Sequence, residues 1–181
     1  TVFFTATTSE TGYELWKLEQ DSNNQDGPVL VKDIASGSTS SNPSQFFELD
    51  GILYFTADDD VSGKELWRSD GTEAGTTVVS DINNTTPSSS PSNVIDVAGT
   101  LYFTANDGVN GTQLYKLDAA SSEPVALGAG SFSQFTLSGG QLFFRDSNQL
   151  ATIDPTTGLI VPIAGTQYVD HLTDVDGVLY F

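Results

Sequence analysis

Asp58-Asp59-Asp60-Val61-Ser62-Gly63 is the segment whose residue types come nearest to a chemical site. It fits D-x-D-x-S-G, the first half of a calcium loop, where oxygen ligands at alternate positions converge on a hard cation and a glycine permits the bend. Asp58, Asp60 and Ser62 are the candidate metal ligands, with Ca2+ the candidate cofactor. Two ungapped copies align with the segment, one at Thr7, Ser9, Thr11 and Gly12, the other at Asn106, Gly108, Asn110 and Gly111. Only the Asp58 copy keeps two carboxylates. The distal bidentate Glu of a full EF-hand is missing, and Glu65 begins a strand instead. An ordinary solvated hairpin loop is therefore the favoured reading, with calcium kept open beside it.

Other chemistry has thinner support. The single histidine, His171, has Asp170 and Asp174 near it in sequence. A Ser-His-Asp catalyst needs a nucleophile on a strained turn, no G-x-S-x-G occurs, and His171 reads as a satisfied structural histidine. Glycosidase chemistry needs two carboxylates at a set separation with one proton affinity raised. Most Asp residues here sit in Gly- or Ser-rich turns, where they stay ionised and wet. No catalytic residue is assigned. Trp16, Trp67 and Tyr115 occupy one equivalent position and could stack on sugar rings, but a large residue recurring at one strand position packs between sheets more readily. Asn83-Asn84-Thr85, Asn84-Thr85-Thr86 and Asn110-Gly111-Thr112 match the glycosylation sequon, a triplet that arises by chance in an Asn/Thr-rich chain.

Composition narrows the partners. The 181 residues carry 6 basic and 24 acidic side chains, a formal net charge of −18, which excludes a phosphate-neutralising surface and hence nucleic acid. Apolar residues make up 38% in short blocks, too many for a disordered acidic tail and nowhere long enough for a membrane-spanning helix. With no Cys there is no disulfide or thiolate, and one His builds no multi-histidine metal site. Thr1-Val2-Phe3-Phe4 has neither an initiator Met nor the features of a signal peptide, so the chain reads as a processed product or a segment of something longer.

The elements that position these residues repeat. Ile52-Leu53-Tyr54-Phe55-Thr56-Ala57 recurs at Thr100-Leu101-Tyr102-Phe103-Thr104-Ala105 and at Thr1-Val2-Phe3-Phe4-Thr5-Ala6, and more loosely at Gln141-Leu142-Phe143-Phe144 and Val178-Leu179-Tyr180-Phe181. Each copy opens a unit of four short strands. The second strand is Glu14-Leu15-Trp16-Lys17, Glu65-Leu66-Trp67-Arg68, Gln113-Leu114-Tyr115-Lys116 or the reduced Gln149-Leu150-Ala151-Thr152. The third is typified by Thr77-Val78-Val79, and the fourth by Asn93-Val94-Ile95-Asp96-Val97. The fourth turns into the next unit through Asp50-Gly51, Ala98-Gly99, Gly139-Gly140 or Asp176-Gly177, two-residue turns that signal hairpins. No apolar spacing of three and four persists, so no helix is expected. The pattern predicts an all-β chain, a β-propeller with four-stranded antiparallel blades. The blades are 1–51, 52–99, 100–140 and 141–177, with 178–181 starting a fifth, in a single repeat domain spanning 1–181. Stacked β-sandwiches are the rival.

The run Gly63-Lys64-Glu65-Leu66-Trp67-Arg68-Ser69-Asp70-Gly71-Thr72-Glu73-Ala74-Gly75-Thr76 resembles the bacterial ELWxxDGTxxGT repeat, and the Ser41-Asn42-Pro43-Ser44 connector, degraded at Ser90-Pro91-Ser92-Asn93, is also similar to it. The resemblance covers about residues 1–120 and persists beyond only as a pattern. It implies a secreted or surface-anchored bacterial β-propeller and supplies no catalytic residues. The expectation is a non-enzymatic extracellular module for adhesion, matrix or surface-layer assembly, its partner a protein or glycan at the cell surface. The propeller portion of a secreted polysaccharide-active enzyme is the alternative. Rings of about six to eight fit blades of this size more comfortably than four, so the chain is expected to be a segment of a larger ring, completed by further repeats of the same polypeptide or by self-association.

Overall fold

The computed structural model describes residues 1–84, 88–119, 121 and 123–181. Every regular element among them is a strand, and all the named strand pairs are antiparallel. No helix of the described residues is long and apolar enough to cross a membrane. The chain divides into two compact units, Thr1–Ser90 and Pro91–Phe181.

The first unit holds two meanders. β1 (Val2–Thr7), β2 (Tyr13–Gln20) and β3 (Asp26–Lys32) form a three-stranded sheet, while β4 (Ser44–Leu49), β5 (Ile52–Asp58), β6 (Lys64–Ser69) and β7 (Thr77–Ser80) form a four-stranded one. The second unit holds two four-stranded meanders. One is β8 (Ser92–Val97), β9 (Thr100–Asn106), β10 (Thr112–Asp118) and β11 (Val125–Ala129). The other is β12 (Phe132–Ser138), β13 (Gln141–Asp146), β14 (Gln149–Ile153) and β15 (Ile160–Pro162). A separate hairpin pairs β16 (Thr173–Val175) with β17 (Val178–Tyr180).

These sheets run one strand out of phase with the sequence units 1–51, 52–99, 100–140 and 141–177. The strand that closes each sequence unit pairs with the first strand of the next, so residues 178–181 complete a hairpin begun by β16. The turns are the cause. Asp50 and Gly51 have φ of 50° and 80°, and Ala98-Gly99, Gly139-Gly140 and Asp176-Gly177 likewise have two positive values each. That conformation folds one strand directly onto its neighbour. A carboxylate two residues before three of these turns accepts the glycine amide: Glu48 from Gly51 at 2.7 Å, Asp96 from Gly99 at 2.9 Å and Asp174 from Gly177 at 3.2 Å. Residues 33–43 and 81–91 lead from one sheet to the next, whereas only Gly130 and Ser131 lie between the third sheet and the fourth.

A second backbone signature recurs just inside β4, β8 and β12. Gln45, Asn93 and Gln134 have φ of 54°, 55° and 55° where the register slips against the next strand, and His171, just ahead of β16, has 56°. Side chains facing the neighbouring sheet make the cores. Leu15, Val31 and Ile34 from the first sheet and its following loop meet Leu53, Phe55, Ala57 and Trp67 from the second. In the second unit Leu114 clusters with Phe132, Leu142, Phe144, Ala151 and Ile153. Tyr115 is buried and stacks on Phe103 at 5.5 Å. Trp67 is buried and Trp16 half-buried, so the recurrent aromatic position is a packing position in these sheets.

Candidate functional site

The Asp58 loop bonds to itself. Asp58 Oδ1 accepts the Asp60 amide at 2.8 Å. Asp59, which sequence reasoning passed over, organises the rest: its Oδ1 accepts the amides of Val61 (3.0 Å) and Ser62 (2.7 Å), and its Oδ2 accepts the Ser62 hydroxyl at 3.2 Å. The aligned loops do the same. Thr8 Oγ1 accepts Glu10 and Thr11 amides, and Asp107 Oδ1 accepts those of Val109 and Asn110. Asp107 also takes the side-chain amides of Asn110 and Gln113. The Asn110 side-chain bond, foremost among these, lowers its pKa from 3.8 to about 2. Among the described residues no three His, Cys, Asp or Glu side chains gather as a metal site.

The motif glutamates face inward. Glu14 is wholly buried and accepts four hydrogen bonds: the amides of Ile34 (2.9 Å), Ala35 (3.4 Å) and Ser41 (3.0 Å), and the Ser41 hydroxyl at 2.5 Å. Glu65, also wholly buried, accepts the amide of Ser89 at 2.6 Å and its hydroxyl. Burial raises the Glu65 pKa above its ordinary value, against the pull of these Ser89 bonds. Each Glu thus fastens its strand to the long connection that leaves the sheet. The connector aligned by structure is Ser89-Ser90-Pro91-Ser92, one residue earlier than the sequence match: Asn42 and Ser90 share a φ of 48°, and Ser44 and Ser92 bond to Thr56 and Thr104 alike.

The Asp70-Gly71-Thr72 turn is equally self-contained. Asp70 Oδ1 accepts the Thr72 amide (2.9 Å) and hydroxyl (2.7 Å), bonds that lower its pKa, and Thr72 Oγ1 accepts the Gly75 amide at 3.0 Å. A β-carbon on Gly75 would lie 2.1 Å from Asp70 Oδ1, so the second glycine of the motif is required by close approach.

His171 departs from the expected structural histidine. Its side chain is 91% exposed, with Nδ1 3.3 Å from Asp170 Oδ2, and what the position fixes is the positive φ of the backbone. Asp174 serves the hairpin turn instead. Of the sequons, Thr85 and Thr86 lie outside the described residues, while Asn110-Gly111-Thr112 falls in the third loop, where the Asn110 side chain is bonded to Asp107.

The last repeat is open where the first two are locked. Ala6, Ala57 and Ala105 pair with Glu14, Glu65 and Gln113 across loops of residues 7–13, 58–64 and 106–112, but Asp146 pairs with Gln149 across Ser147 and Asn148 alone. Gln149 stands where the motif glutamate does. By the same alignment Gln167, Tyr168 and Val169 stand at Ser41, Asn42 and Pro43, with Tyr168 at φ 60°. Gln149 Nε2 donates to the Ile163 carbonyl at 3.3 Å rather than reaching Gln167. The result is a hollow of about 400 Å3 lined by Asp146, Ser147, Asn148, Gln149, Gln167 and Tyr168. Nothing in the sequence reading pointed to it; the signal was the loop cut to two residues together with the loss of Glu and Ser, since the third repeat also lacks the Glu, at Gln113, but keeps the long loop.

The chain matches no family model and none of the curated proteins with which it was compared.

Proposed function

We propose that the chain is a non-enzymatic extracellular module whose sheets are blades of a β-propeller, serving adhesion, matrix or surface-layer assembly, with further repeats or a second copy extending it. One observation carries the reading: the polar residues that the repeats share are engaged in holding the chain together. The wholly buried carboxyls of Glu14 and Glu65 are occupied by backbone amides and serine hydroxyls. The turn carboxylates of Asp59, Asp70 and Asp107 close on their own loops. Recurrence of one antiparallel meander along the chain supports blades, and the resemblance of residues 63–76 to the ELWxxDGTxxGT repeat supports a bacterial surface setting.

Antibodies raised against the chain test the location on intact cells of the organism that makes it. Labelling without permeabilisation, removable by external protease, is expected. Labelling only after permeabilisation would overturn the extracellular reading, and hydrolysis of a polysaccharide by the purified chain would overturn the non-enzymatic one.

A further inference from the structure

We infer that the hollow between the β13–β14 turn and residues 167–168 is a binding site for a neutral sugar. The inference deepens the adhesion reading by naming a ligand class and rests on that reading for its biological role.

The hollow lies where the lock has been taken out and the loop above it cut short. In the first two repeats a buried Glu reaches a Ser of the outgoing connector beneath a long polar loop, and the space is closed. In the last repeat the loop is cut to Ser147-Asn148, and the Glu and Ser positions carry Gln149 and Gln167. The connector still passes against the turn, one residue out of step: Val169 is buried and its amide donates to the Asn148 carbonyl at 3.3 Å, where the first two repeats use the amides of Asn42 and Ser90, the residues aligned with Tyr168. The vacated volume of about 400 Å3 accommodates a sugar ring or two.

Its lining suits hydroxyl groups. Asn148, Gln167 and Tyr168 make no side-chain hydrogen bond to any described residue, which leaves two amides and a phenol free as donors and acceptors. Asp146 is fixed through Oδ1 by the Ser131 amide (3.2 Å) and the Ser147 hydroxyl (3.3 Å), and a carboxylate so held accepts well from a sugar hydroxyl. Tyr168 is 84% exposed on a backbone of positive φ, a costly place for a large aromatic ring unless the ring is used. An apolar ring face beside a held carboxylate and two free amides matches the alternating C–H face and hydroxyl edge of a pyranose. No Lys or Arg lines the hollow and Asp146 is its one ionisable carboxyl, so anions are disfavoured and a hard cation lacks ligands.

The test is protein-observed NMR on the whole chain titrated with glucose, galactose, mannose and N-acetylglucosamine, with calcium chloride and inorganic phosphate as separate probes. At least one sugar is expected to shift the amides of residues 146–149 and 167–168 with a dissociation constant on the order of 1 mM. Tyr168→Asn, which keeps a residue suited to positive φ as Asn42 does, is expected to weaken that binding about tenfold while leaving the spectrum folded. Asn148→Ala is a second, turn-local variant with the same expected direction. Silence to all four sugars, equal affinity in Tyr168→Asn, or saturation by calcium or phosphate in place of sugar would overturn the assignment. None of these outcomes bears on where the protein is located, so failure here is distinguishable from failure of the extracellular reading.

Discussion

Replacing Glu14 by Ala removes the best-bonded side chain of the first unit. Three backbone amides lose their acceptor, those of Ile34, Ala35 and Ser41, and the Ser41 hydroxyl loses its own. A buried donor left unsatisfied costs about 1–3 kcal/mol. The Ala35 bond is long at 3.4 Å, and water entering the vacated space recovers part of the rest, so the expected loss is about 3–5 kcal/mol. For a chain of this size that lowers the melting temperature by roughly 6–20 °C. Both tryptophans, Trp16 and Trp67, lie in the unit that carries the change, so fluorescence-detected urea unfolding reports it directly. Glu14→Gln keeps one acceptor oxygen and is expected to lose about half as much. A double-mutant cycle with Ser41→Ala should return a coupling of about 1.5–3 kcal/mol. If Glu14→Ala cost less than about 1 kcal/mol, as expected for exposed Glu10→Ala, the motif glutamate would not be the lock described here.

Gly75→Ala sets a β-carbon against the Asp70 carboxylate and should expel it from Thr72, a loss of about 1–3 kcal/mol in denaturant unfolding. Asp107 titrates near 2 in the folded chain, below its unfolded value, so its contribution is present above about pH 4 and is lost as pH falls toward 2. Asp70, Asp154 and Asp170 shift the same way, whereas the raised Glu65 contributes below its unfolded value and loses that contribution as pH rises through its folded one. Acid unfolding curves should therefore steepen below about pH 4, and Asp107→Asn should flatten that window; an unchanged acid limb would contradict the loop's bonding pattern. Calcium coordination by Asp58, Asp60 and Ser62 requires that millimolar calcium raise the melting temperature and that Asp58→Ala with Asp60→Ala abolish the rise. An unchanged melting curve returns the loop to a self-bonded turn.

Much of the architecture was legible because hairpin chemistry is local. Asp50-Gly51 and its three counterparts announce adjacent antiparallel strands, and the Leu-Tyr-Phe blocks announce which strands are central. The phase was harder to read. The most recognisable block, Ile52–Ala57, is a second strand in its sheet, and repetition alone cannot say where a periodic pattern is cut. The site was less legible still. A charged residue at a strand start reads as exposed, and nothing near Glu14 in sequence reveals a Ser partner 27 residues away. Asp59 was hidden by the alternate spacing that favoured Asp58 and Asp60, although it is the middle carboxylate that the turn folds around.

The proposed function takes the sheets to be blades wrapped about a common axis. Small-angle X-ray scattering on the monodisperse 181-residue chain tests it most directly. Blades arranged radially predict a compact particle with a radius of gyration of about 16 Å, the value expected for one globular body of this length. A radius above about 20 Å with a two-peaked distance distribution, as two independent half-length bodies would give, would contradict the propeller.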